Sequence, residues 1–415
     1  VLLLLMWGCA EENIGIPHPP ATIDYPVAVA ADPSGQHVWV TSGNFDLAYT
    51  GAAVLAIDVV THKFKTDNDG HHAGFEIGNF PGPVHIIGGE QEVTRGYVAS
   101  RADDRVYTLD LADANGNLVI GCQGGVTRED GLTACGEDAS VGEGSYLDEA
   151  GEVVEGAVGN DPFGVFVHRA QPGADQDLLF VSSMVDGRLS VFGLGGTGTP
   201  TLLTEAQLSG GLISFAESPV TGRIYAAHKS INAIDELQVV YPAASELDPT
   251  LYDQPEIVRT RSITVPSSLV EDYARSLAVS SDGSRLYAAY RSPSSVVVMA
   301  LGTGPGGEAQ ADPIARIPVG LGASDIVVVP PTETAPERVY VSSFRDDQID
   351  VIDPISETVI DSIRTGRGPF GMTLVDSPEL GIKRLYVANF YAQTVGVIEL
   401  DPASPYYHTQ FVEIR

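Results

Sequence analysis

Basic residues are scarce: 23 Lys and Arg stand against 55 Asp and Glu, a formal net charge of −32. A surface of that sign repels nucleic-acid phosphates and anionic lipid headgroups, which argues against nucleic acid as a partner. Cysteine is scarcer still, with three in 415 residues, and no Cys-x-x-Cys or Cys-x-x-Cys-His occurs. Zinc ribbons and c-type haem attachment therefore have no support. Neither Gly-x-Ser-x-Gly nor His-Glu-x-x-His is present, so serine-hydrolase and zincin chemistry lack a starting residue. Turn chemistry, by contrast, is abundant. With 45 Gly, 27 Pro, 43% hydrophobic and 19% charged residues, the composition fits neither disorder nor a helical bundle and points to many short strands.

Long hydrophobic runs are also missing. The N-terminal VLLLLMW is far too short to cross a bilayer but suits the end of a signal-peptide apolar region. Gly8-Cys9 closes it and resembles the bacterial lipobox, in which Cys9 would be lipidated and become the mature N-terminus. Residues 1–20 are read as a signal-peptide remnant and tether, with ordinary secretion as the alternative to anchoring and export expected either way. The expected location is the bacterial cell envelope, with membrane contact through the lipid anchor alone. Three cysteines then divide into one acyl acceptor and one pair, Cys122 and Cys135, which an oxidising compartment would join as a disulfide.

Self-similarity dominates the rest of the chain. RVYVSSFRDDQIDVID, Arg338 to Asp353, returns 46 positions later as RLYVANFYAQTVGVIELD, with its apolar frame kept and its middle rewritten. The aromatic-centred strand occurs seven times, at Trp39, Tyr97, Phe180, Tyr225, Tyr287, Tyr340 and Tyr386. An alternating apolar strand precedes each copy and further strands follow, so each unit reads as a four-stranded meander. Such a unit cannot bury both of its faces alone, whereas units stacked around an axis can. The expected fold is all-β: a seven-bladed β-propeller over residues 21–415, with an acidic insert at 121–158 that carries the cysteine pair. The YVSS and YVAN strands followed by VID, with GRGPFG (366–371) leading into the next unit, resemble the YVTN-repeat propellers. That family includes envelope binding proteins alongside lactonase-like enzymes, so the resemblance implies a fold more sharply than a function.

GLGGTG (193–198) and GTGPGG (302–307) match a dinucleotide fingerprint, but each joins two strands and opens no helix, so both are read as glycine turns. In DNDGHH, Asp67, Asp69, His71 and His72 stand close enough in sequence to share a divalent cation such as calcium. Asp-Asn-Asp-Gly is equally good turn chemistry, and the turn is preferred, so no cofactor is expected. Asp58, Asp110 and Asp353 recur at the end of the third strand and are read as turn caps. Arg95, Arg223, Arg285, Arg338 and Arg384 recur two residues before the strand aromatic and are read as markers of the bottom turn.

The rewritten middles belong to loops between second and third strands, which share a face with the lead-in to each inner strand and ring the channel mouth. There the chain offers Arg101, Lys229, Arg291 and Arg345 from the loops, and Arg275 and Arg367 from the lead-ins. The expected ligand site is formed by Arg101, Arg275, Arg291, Arg345 and Arg367, with Phe344, Phe390 and Tyr391 as apolar walls and the insert near Asp130 and Glu137 as a cover. The competing reading has these arginines cancelled by the adjacent Asp103, Asp104, Asp346 and Asp347. His85, Asp161, His228 and Asp325 fall in the same loop classes, and His85, Asp161 and His228 are the candidates for acid–base catalysis. The leading expectation is an exported propeller that binds a small anionic ligand or an envelope protein at its upper face. The alternatives are a lactonase-like hydrolase of an anionic sugar-derived substrate and a structural envelope protein.

Overall fold

The computed structural model describes residues 15–66, 70–89, 92–114, 117–142, 146–147, 153–154, 158–169, 176–195, 200–208, 210–241, 255–303, 309–333 and 335–415. Cys9, Asp67 and Asp69 lie outside the described residues. Seven antiparallel sheets follow one another along the chain, one for each repeat, and form a seven-bladed β-propeller. Blade six shows the plan: inner strand Ala323–Val329, aromatic-centred strand Arg338–Ser343, third strand Gln348–Asp353 and outer strand Thr358–Arg364.

The period of two along a strand explains why the apolar frame cannot vary. Val339 and Val341 pack into the core shared with blade five, while Tyr340 between them packs into the core shared with blade seven. All seven repeat aromatics are at most 3% exposed. The arginine two residues earlier reaches across the ladder to an acidic partner on the third strand: Arg95 to Asp110 at 3.0 Å, Arg338 to Asp353 at 3.2 Å, Arg384 to Glu399 at 3.4 Å, and Arg223 to Glu236. Blade five has Ala300 opposite Arg285, and that guanidinium turns instead to Glu357 and the Pro354 carbonyl of blade six. Asp58 and Asp353 also cap their turns, accepting from the N–H groups of Val60 and Thr61 and of Ile355.

The insert fastens to the outside of the ring. Blade two's outer edge is split between Asn117–Gly121 and Ser140–Gly142, both paired with its third strand. Between those two strands the chain crosses to blade one, where Leu132–Ala134 pairs parallel with Gly74–Ile77 and Val126–Thr127 pairs with Leu132–Ala134. Blade one's short outer strand is thereby covered, which removes an open sheet edge. The excursion is closed by the Cys122–Cys135 disulfide. Arg128 anchors it on Glu76 and on the His18 carbonyl. Asp130 pairs with Arg128, and Glu137 pairs with Arg105 at 3.0 Å. Neither acidic residue lines the channel, so the expected cover is instead a peripheral strap.

Candidate functional site: the channel mouth

Every inner strand carries the same irregularity near its start. Pro26 pairs with Ser42 but Val29 with Val40, and Ala274 pairs with Tyr290 but Leu277 with Ala288; the other five blades show the same gain of one residue. This is a β-bulge, which breaks strict alternation and re-aims side chains. Consecutive residues consequently face one space: Phe163 with Gly164, Ile213 with Ser214, Arg275 with Ser276, Ser324 with Asp325, and Phe370 with Gly371 all line a cavity of about 610 Å³ on the axis. Arg275 occupies the position held by Phe163 in blade three, Ile213 in blade four and Phe370 in blade seven. The loops above supply Phe45, Arg101, Met184, Lys229 and Phe390, and the end of the strand Arg285–Arg291 supplies Arg291.

The charges on this surface are unevenly compensated. Asp161 accepts from both Nε and Nη2 of Arg101, one contact being 3.1 Å. Arg275, Arg291, Lys229 and Arg345 have no carboxylate within 4.0 Å among the described residues, and the buried Nε of Arg275 has no hydrogen-bond partner among them. The Arg275 guanidinium lies over the Tyr273 ring at 4.7 Å. Arg291 donates to the Ser324 hydroxyl at 2.7 Å and the Ala323 carbonyl at 3.3 Å, and stands over Phe344 at 5.7 Å. Burial, and then the neighbouring Arg275 charge, lower the Arg291 pKa to about 10, so it remains a cation at neutral pH.

The aspartates beside these arginines have other duties. Asp104 accepts from the Asp161 N–H at 2.7 Å, Asp346 from the Leu321 N–H at 2.7 Å, and Asp347 from the Gly368 N–H at 2.9 Å. Asp103 accepts from the Tyr107 hydroxyl at 2.5 Å. Asp104 and Asp347 thereby hold the lead-in of the next blade's inner strand, and Asp346 that of its own. Asp104 and Asp347 also take positive φ, +50° and +54°, a conformation that Asp tolerates better than most residues.

The other expected residues are dispersed. Arg345 is exposed beside Arg291, whose pKa its charge helps to lower. Arg367 lies outside the axial cavity, lines a second one with Thr365 and Arg415, and donates to the Tyr391 carbonyl at 3.4 Å. Phe344 and Tyr391 pack 5.1 Å apart with tilted rings on the rim without lining the axial cavity; Phe390 does line it. His85 lines the cavity edge-on to Phe166 at 5.7 Å, and burial, with a smaller contribution from the Arg169 charge, lowers its pKa to about 4. His228 is fully buried 3.0 Å from Asp235 and does not line the cavity. His72 packs edge-on to Phe64, and among the described residues no three His, Cys, Asp or Glu side chains are grouped as metal ligands. The sequence reading missed the channel phenylalanines Phe163, Phe166, Phe215 and Phe370. The one signal for them was a Phe shortly after the lead-in, which simple alternation assigns to the blade core.

No family model matches the chain, and no curated protein sequence matches it. Solved structures do. Hydrazine synthase of Kuenenia stuttgartiensis superposes with a TM-score of 0.58 at 14% identity, over 94% of this chain and 99% of that one. A candidate 6-phosphogluconolactonase of Bacteroides uniformis gives 0.56 at 14% identity, over 84% and 86%. A Lactobacillus plantarum protein gives 0.54 at 15% identity, over 83% and 86%. At such identities the shared property is the propeller fold, and the chemistry has to be argued from the residues themselves.

Proposed function

We propose that this propeller binds a small organic anion in its axial channel, with Arg275 and Arg291 as the principal cationic contacts and Lys229 beside them. The observation that carries this reading is the buried, unpartnered Nε of Arg275 in a cavity where Arg275, Arg291 and Lys229, unlike Arg101, lack carboxylate partners among the described residues. An anion about 4 Å from one such guanidinium gains about 4 kcal/mol at an effective dielectric of 20, before desolvation is subtracted. Paired guanidinium groups suit carboxylate geometry. In a thermal-shift series, acetate, benzoate and phosphate are compared on the wild type and on the Arg275→Gln/Arg291→Gln double variant. At least one anion is expected to raise the wild-type melting temperature and to lose that effect in the variant. No shift from any anion would end this reading.

Hydrolysis has narrower support. Of the three acid–base candidates, Asp161 is committed to Arg101 and His228 is buried with Asp235, which leaves a neutral His85 facing the cavity. Turnover of a lactone that disappears in His85→Phe would move the protein into that class.

Export and anchoring at Cys9 belong to the same proposal, and the Cys122–Cys135 disulfide supports an oxidising compartment. The full-length protein is expected to partition into detergent and Cys9→Ala into the aqueous phase. Identical partitioning of the two would sink the anchor.

A further inference from the structure

The rim cations suggest that the ligand is charged; the walls beneath them indicate what the charge is attached to. A sugar-derived acid would bring several hydroxyl groups into the channel, each leaving water and needing a partner there. Apart from Arg275 and His85, the polar side chains that the inner strands turn into the cavity are already engaged. Ser214 Oγ accepts from the Leu277 N–H at 3.2 Å. Ser276 Oγ donates to Asp325 at 2.7 Å. Ser324 Oγ is held between Arg291 at 2.7 Å and the Gly322 carbonyl at 2.9 Å. The Asp325 carboxylate also accepts from the N–H groups of Met372 and Ile326, at 2.8 and 2.9 Å, and so locks blades five, six and seven together. The remaining wall is largely apolar and aromatic: Phe163, Phe166, Phe215 and Phe370 line it, with Phe166 and Phe215 stacked 5.9 Å apart.

We infer that the channel takes an aromatic carboxylate, its carboxylate against Arg275 and Arg291 and its ring system against the phenylalanine wall of blades three and four. This rests on the anion-binding reading and narrows it from organic anions in general to flat apolar acids. A cavity of about 610 Å³ has room for a bicyclic aromatic acid. Burying its ring replaces water with aromatic contacts, and no hydroxyl is left unsatisfied.

The test is isothermal titration calorimetry on the intact, disulfide-bonded protein, with 1-naphthoate, its neutral analogue 1-naphthalenemethanol, gluconate and 6-phosphogluconate as probes. The expected result is saturable binding of 1-naphthoate, at least about tenfold tighter than the alcohol and than either sugar acid. Arg275→Gln should weaken naphthoate by about tenfold or more with an unchanged melting temperature. Phe163→Ser should weaken naphthoate while leaving any residual affinity for the sugar acids in place. Tighter binding of gluconate or 6-phosphogluconate would overturn the aromatic assignment and leave the anion channel standing. Undiminished naphthoate affinity in Arg275→Gln would place the ligand elsewhere and overturn the inference. Absence of binding by every probe at millimolar concentration would remove both readings.

Discussion

Tyr386→Ala is expected to lower the unfolding free energy by about 3–5 kcal/mol, the range for deleting a large buried aromatic side chain. Tyr386 is fully buried where the ring closes. Blade seven is built from residues 369–414 and blade one's own four strands from residues 26–77, so no strand is exchanged between them. The joint is instead made by side chains. Val29, Val38 and Val40 of blade one share a core with Tyr386, Val395 and Val397 of blade seven. The Tyr386 hydroxyl lies 3.3 Å from the Val59 carbonyl and 3.3 Å from His62 Nδ1, and Arg384 donates to the same carbonyl at 3.1 Å. Tyr386→Phe keeps the packing and removes only the hydroxyl contacts, so it should cost about 1 kcal/mol. Urea unfolding of the two variants checks both values. An alanine variant within about 1 kcal/mol of the wild type would show that the joint is held by something other than this aromatic.

The second large effect belongs to the strap on the outside of the ring. Removing the Cys122–Cys135 bridge by Cys122→Ala/Cys135→Ala should destabilise the protein by about 3 kcal/mol, the chain-entropy value for a loop of this size. The two residues are 13 apart, and the loop between them supplies the strands that cover blade one. Hydrogen exchange should therefore quicken first at Gly74–Ile77 and Leu132–Ala134, while blades five to seven keep their protection. A double variant with wild-type unfolding and unchanged exchange in those strands would mean that Arg128 and the strand pairing hold the strap without the bridge.

Much of this molecule was legible in advance because its repeat is a packing repeat. A strand that must present Val339 and Val341 to one neighbour and Tyr340 to the other can change little, and the same pattern recurs at Tyr287 and Tyr386. The cysteine pairing was legible for a simpler reason, since Cys122 and Cys135 were the two left after Cys9. The rim was legible in composition but not in pairing. Arg101 stands beside Asp103 and Asp104 in sequence, yet its carboxylate is Asp161, sixty residues away and delivered by the lead-in of the next blade. The adjacent aspartates were unavailable because they cap backbone N–H groups or accept from Tyr107. The phenylalanine wall was hidden by the bulge: alternation sends neighbouring residues to opposite faces, and one extra residue per inner strand puts Phe163 and Gly164 on the same surface.

By itself the sequence determined the seven repeats, the strands within them and the residues that fill the spaces between blades, because those follow from hydrophobic period and turn chemistry, which are local. Only the tertiary structure decided which charges survive at the mouth, since compensation depends on partners from different blades, as with Asp161 for Arg101 and none among the described residues for Arg275. It also decided that the insert is a strap, because a parallel pairing between Leu132–Ala134 and Gly74–Ile77 joins segments with no sequence complementarity to announce it. Electrostatic pairing and edge pairing are long-range in the chain and short-range in space, and folding alone brings them together.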